Sequence, residues 1–77
     1  STTLEFELPS AGAVELSVYN AAGRRVTELV RGHVEAGRRS VTWRGVDDEG
    51  TPVASGVYFF RLSHNGETVS RTGVLLK

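Results

Sequence analysis

Apolar residues along most of this chain recur at every second position. Leu4, Phe6 and Leu8 alternate with Thr3, Glu5 and Glu7, and Val14, Leu16 and Val18 alternate with Glu15, Ser17 and Tyr19. A β-strand sends successive side chains to opposite faces, so this spacing gives each segment one apolar face and one wet face. The two segments read as an antiparallel pair broken by Pro9-Ser10-Ala11-Gly12. No window sustains the period of about 3.6 residues that a helix needs.

Punctuation between the strands is equally regular. Asn20-Ala21-Ala22-Gly23 reads as a turn, with Asn at its first position and Gly supplying positive φ at its end. Arg24 to Val30 is the next strand, ended by Gly32; its poor alternation predicts an edge strand or a bulge between Val26 and Val30. Glu35-Ala36-Gly37 is a turn, and Arg38 to Arg44 is a strand with Val41 and Trp43 on one face. In the polar loop Asp47-Asp48-Glu49-Gly50-Thr51-Pro52, an Asp three residues before a Gly suits a type I turn closed by the Asp side chain.

Asn65-Gly66 between two β-type runs predicts a hairpin with a two-residue loop. That loop fixes the register. Ser63 faces Thr68, Leu62 faces Val69, Phe60 faces Arg71 and Tyr58 faces Gly73, which would lay the Tyr58 ring over bare backbone. Tyr58, Phe60, Leu62, Val69 and Leu75 share one face; Val57, Phe59, Val74 and Leu76 share the other. The second apolar face has three readings: a bulge swaps faces, a loop covers it, or it is open to a partner.

The chain is 77 residues long, which is one small domain. A fold of this size buries about 60% of its unfolded surface, so most of the sequence must serve the fold. Lys+Arg and Asp+Glu number nine each, which argues against a general nucleic-acid binder. Without cysteine there are no disulfides or thiol nucleophiles. The longest apolar run, Val57-Tyr58-Phe59-Phe60, is far short of the roughly 20 residues of a membrane-spanning helix. A start at Ser1, with neither Met nor signal peptide, suggests a piece of a longer protein.

Chemistry is sparse. His33 and His64 stand in expected loops without a recognisable nucleophile, so no enzyme activity and no cofactor are expected. Asp47, Asp48 and Glu49 are a weak candidate calcium site without EF-hand spacing, or a plain polar turn. Arg24-Arg25 and Arg38-Arg39 read as solvated rim charges, with phosphate recognition as the sharper reading.

The segments Thr2-Thr3-Leu4-x-Phe6-x-Leu8-Pro9, Val14-x-Leu16-x-Val18-Tyr19-Asn20, Gly23-Arg24-x-Val26, Ala36-Gly37, Val41-x-Trp43-x-Gly45, Asp47-x-x-Gly50-x-Pro52-Val53-x-Ser55-Gly56-Val57-Tyr58 and Val74-Leu75-Leu76-Lys77 follow in order. Together they resemble the type A C-terminal sorting domain of the type IX secretion system. The related immunoglobulin-like domain of the flagellar hook-capping protein shares the Trp43–Tyr58 segment in particular.

The resemblance implies an all-β, seven-stranded antiparallel immunoglobulin-like β-sandwich over residues 1–77, at the end of a longer secreted protein. It implies passage through the periplasm and across the outer membrane to the cell surface or beyond. The implied partners are the secretion machinery, a sortase-like protease and N-terminal domains of the same protein. The implied contact residues are Gly23, Arg24, Gly56, Tyr58, Val74, Leu75, Leu76 and Lys77. The alternative is a structural Ig-like module that spaces or stabilises a neighbouring catalytic or assembly domain.

Overall fold

A computed structural model of the chain describes residues 1–76. Six strands follow in order: β1 (Thr2–Leu8), β2 (Gly12–Asn20), β3 (Arg25–Val34), β4 (Gly37–Trp43), β5 (Gly56–His64) and β6 (Glu67–Leu75). They form two antiparallel sheets. One joins β1 to β4; the other runs β3-β2-β5-β6. The core cluster is Leu16, Val18, Tyr58, Phe60 and Leu75 from the larger sheet, with Trp43 from β4; Leu4, Phe6 and Val41 pack against it from the smaller sheet.

Six strands rather than the expected seven are found among the described residues, and the long segment between β4 and β5 forms no further strand. There Val46 and Pro52 make a single bridge. The Asp47 backbone N–H donates to Thr51 O, and Gly45 and Gly50 take positive φ. Pro52 lacks an N–H, so a ladder has nowhere to extend.

β1 and β2 do not pair, although their matched alternation suggested it. β1 pairs with β4, Thr2 opposite Trp43 and Leu8 opposite Gly37. The Pro9–Ala11 connection therefore crosses from one sheet to the other, and Leu4 and Phe6 close the core from the opposite side.

β3 is both an edge strand and a bulged one. Its register with β2 shifts between Leu16 and Ser17, and again between Val18 and Tyr19, leaving Leu29 and Val26 as extra residues. Extra residues reset which face the chain presents, which is why its alternation was poor and why Thr27 is buried. The strand also continues past Gly32 to Val34, because β2 begins as early as Gly12 and supplies the pairing.

The β5–β6 hairpin has the expected register throughout, from Ser63 opposite Thr68 to Tyr58 opposite Gly73. Asn65 and Gly66 have φ of 48° and 81°, the two left-handed residues that a twisted two-residue loop needs. One detail differs. The ring above Gly73 is that of Phe60, its diagonal neighbour, and not Tyr58. The Tyr58 hydroxyl donates to Ala54 O at 2.6 Å, and its ring meets Trp43 edge-on at a centroid distance of 4.9 Å. Long aromatic side chains reach diagonal as well as direct partners.

Trp43 is the hub of the core. It is essentially buried, meets Phe60 edge-on at 5.8 Å, and donates its indole N–H to Val46 O at 2.9 Å. That bond satisfies the one polar atom of the side chain and ties the loop after β4 to the core.

Candidate interaction surface

The two faces of the larger sheet are unequal in chemistry. The inner face carries Val14, Leu16, Val18, Tyr58, Phe60 and Leu75, all buried. On the outer face of β5 and β6, Val57 is 45% exposed, Phe59 39% and Val74 58%; Leu76, just past β6, is 79% exposed. Val57 stands directly opposite Val74, and Phe59 lies beside Tyr19 of β2. Of the three readings of this second apolar face, the open one is found.

A shallow basin continues the strip. Tyr19, Asn20, Ala21, Gly23, Phe59, Arg61 and Ser70 line it. The Arg61 guanidinium sits 4.9 Å from the centre of the Tyr19 ring, a cation–π contact. Tyr19 and Arg61 were not among the expected contact residues. They meet only through the β2–β5 pairing, which no local pattern shows.

The Gly23–Arg24 corner is built by Asn20. Its Oδ1 accepts the N–H groups of Ala22 and Arg24, each at 3.0 Å, and Gly23 N–H donates to Asn20 O. Gly23 takes φ of 84°. Arg24 is exposed beside this turn.

The other expected contact residues divide by burial. Gly56 opens β5 opposite Leu75. Tyr58 is buried by its ring. Leu75 is 1% exposed and packs on Gly45, whereas Val74 and Leu76 face solvent. Lys77 lies outside the described residues.

Asp47, Asp48 and Glu49 are occupied in a turn. Asp47 Oδ1 accepts the N–H groups of Glu49 and Thr51, each at 2.9 Å. Asp48 reaches Arg25 at 3.5 Å. Among the described residues, no group of three His, Cys, Asp or Glu side chains is gathered as a metal ion would require.

The remaining charges pair across the surface. Arg25 also approaches Glu28 at 3.7 Å; Arg31 approaches Glu28 at 3.1 Å and Glu15 at 3.3 Å. Arg39 folds back onto the carbonyls of Glu35, Ala36 and Arg38. Exposed pairs of this kind contribute about 0–1 kcal/mol each. His33 and His64 lie in β3 and β5 rather than in loops. No helix of the described residues is long and apolar enough to cross a membrane.

Two antiparallel sheets around an aromatic hub, with an apolar strip exposed on one side, define an all-β module of two packed sheets. The family model described as "FlgD Ig-like domain" matches residues 1–68, and the chain belongs to that family. Among solved structures, FLGD from P. Aeruginosa superposes with a TM-score of 0.72 at 28% identity. The match covers 95% of this chain and 58% of that one, so the chain spans a little over half of its neighbour's length. No curated protein matches.

These findings overturn the sorting-domain reading and everything that followed from it. Export across the outer membrane, the secretion machinery and sortase-like protease as partners, and an extracellular or cell-surface location reached through the periplasm are replaced by kinship with FlgD. The segment that suggested both families explains the error. Trp43, Gly45, Asp47, Gly50 and Tyr58 are the hub, the turn and the core of the fold. They report architecture, which related folds share, and not the task the fold is put to.

Proposed function

We propose that the chain is a non-catalytic immunoglobulin-like β-sandwich, folding as one domain over residues 1–77, that serves as a structural and docking module in a flagellar hook-capping assembly. The family match over residues 1–68 carries this reading. Its polar side chains support the non-catalytic part: Asn20 and Asp47 are used in turns, and Arg25 and Arg31 in surface pairs.

The outer face of β5 and β6 is the docking surface in this reading. Val57, Phe59, Val74 and Leu76 supply apolar contact area. Gly23 lines the Tyr19–Phe59 basin, and Arg24, the next residue, is exposed toward the Asp47–Glu49 turn. Tyr58 and Leu75 support it from beneath as core residues, and Gly56 opens β5 opposite Leu75. The partner is another part of the assembly, on the same chain or a neighbouring subunit.

The test is a Val57→Ser, Phe59→Ser, Val74→Ser variant in the organism that carries the gene. Circular dichroism should show the parent fold, because these side chains lie outside the core, and electron microscopy should show defective hooks. Normal hooks in cells carrying the folded variant would remove this face from the function. Normal hooks after deletion of the whole domain would remove the function itself.

A further inference from the structure

Two free strand edges face one another along one side of the molecule. β1 has β4 as its neighbour, and β6 ends the four-stranded sheet. Between them lies a cleft of about 150 Å³, with Leu16, Phe60 and Leu62 at its base and Leu4, Phe6 and Val69 along its walls. Val69 faces inward by register, opposite Leu62, yet is 53% exposed. A two-stranded sheet is too narrow to cover a four-stranded one, and this margin is left bare.

The edges of the molecule are not equivalent. The edge at β3 is distorted by two register shifts, a device that blunts strand pairing. β1 instead runs through its whole pairing with β4 without a shift, from Thr2 to Leu8. A straight edge next to an apolar cleft offers backbone N–H and C=O groups to an added strand, and room for its alternate side chains.

Charge then selects the strand. Glu5 and Glu7 alternate with Leu4 and Phe6 along β1 and also border the cleft; both are exposed, Glu7 stands opposite Arg38 of β4, and neither makes an ion pair among the described residues. Side chains of an added strand directly opposite them would lie about 4.5–5.5 Å away. A second copy pairing through its own β1 would set these carboxylates against each other. Arg71, on the β6 side of the cleft, disfavours a cation on the inward side of the strand.

We propose that the free edge of β1 receives an extended segment of a partner protein in which apolar residues alternate with Lys or Arg. The apolar side chains enter the cleft between Leu4, Phe6 and Val69. The cations lie beside Glu5 and Glu7. This site is on a different face from the β5–β6 strip and stands or falls independently of the hook-capping role.

The probe is a synthetic, end-capped heptapeptide of alternating lysine and valine, titrated into the isotope-labelled chain and followed by amide chemical shifts. Shifts should concentrate on Thr2–Leu8 and around Val69. Binding should weaken as salt is raised, and by about tenfold in a Glu5→Gln, Glu7→Gln variant. The same peptide with glutamate for lysine should leave the spectrum unchanged.

Absence of binding overturns the proposal. So do equal binding of the glutamate peptide, shifts centred on the β5–β6 outer face, or β1 shifts that grow with protein concentration in the absence of peptide, which would make a second copy the occupant. Salt dependence measured on the parent chain decides the charge argument even if the double variant does not fold.

Discussion

Phe60 lies directly over Gly73. A Cβ placed on Gly73 would come within 2.6 Å of Phe60 Cε2, so the ring occupies the space that any other residue would need. Gly73 is in the extended part of β6 and has no positive φ, so a side chain there meets no backbone objection.

Gly73→Ala should therefore destabilise the domain by about 1–3 kcal/mol through overcrowding. In isolation a strand residue gains from the loss of glycine's freedom, so the sign itself is diagnostic. Pairing it with Phe60→Leu should recover part of the loss. A urea midpoint for Gly73→Ala at or above the parent's would show that the ring yields readily.

Gly45 and Gly50 make a matched pair. Their φ values are 75° and 80°, so alanine meets similar backbone strain at each. At Gly50 the added methyl points into open space; at Gly45 it would meet Leu75 Cδ2 at 3.0 Å. Gly50→Ala should cost about 1–2 kcal/mol, and Gly45→Ala distinctly more. Equal thermal shifts would mean that Leu75 moves aside freely.

Trp43→Ala should cost about 3–5 kcal/mol, a large part of the roughly 5–15 kcal/mol total of a domain. Trp43→Phe separates the contributions, since it keeps a ring but strands Val46 O, for about 1–3 kcal/mol. A parent-like midpoint for the alanine variant would place Trp43 at the surface.

Asp47→Ala removes the acceptor for two backbone N–H groups and should destabilise by about 1–2 kcal/mol, whereas Asp47→Asn, which keeps an oxygen there, should cost less. Calcium at millimolar levels should leave the melting temperature of the parent unchanged, because Asp47 Oδ1 is already engaged and Asp48 is drawn to Arg25. A calcium-dependent rise would restore the metal reading.

Local rules were legible in the sequence, and distant pairings were not. Asn65-Gly66 set the hairpin register because a two-residue loop leaves no slack. Asn20 and Asp47 announced their turns because each acts on residues two and four positions ahead. The outer strip of Val57, Phe59 and Val74 followed from period two alone.

Which strands became neighbours did not follow. β1 could have paired with β2 as readily as with β4 on its alternation, and the choice rests on how Leu4 and Phe6 meet the Trp43 cluster. The contact of Tyr19 with Arg61 was hidden for the same reason. Val69 lies on the same face as Leu62, as the register required, but its exposure was not legible because it depends on the width of the opposite sheet.

The sequence separation of the paired strands also orders how the domain comes apart. The pairing of Thr2 with Trp43 and of Leu8 with Gly37 spans most of the first half of the chain, while β5 and β6 are joined across two residues. Closing the longer loop costs more entropy, so the β1–β4 ladder is the last to assemble and the first to release. Amide protons of β1 should exchange with solvent ahead of those in β5, and the N-terminal strand acts as the latch of the domain while the hairpin at the other end is its anchor.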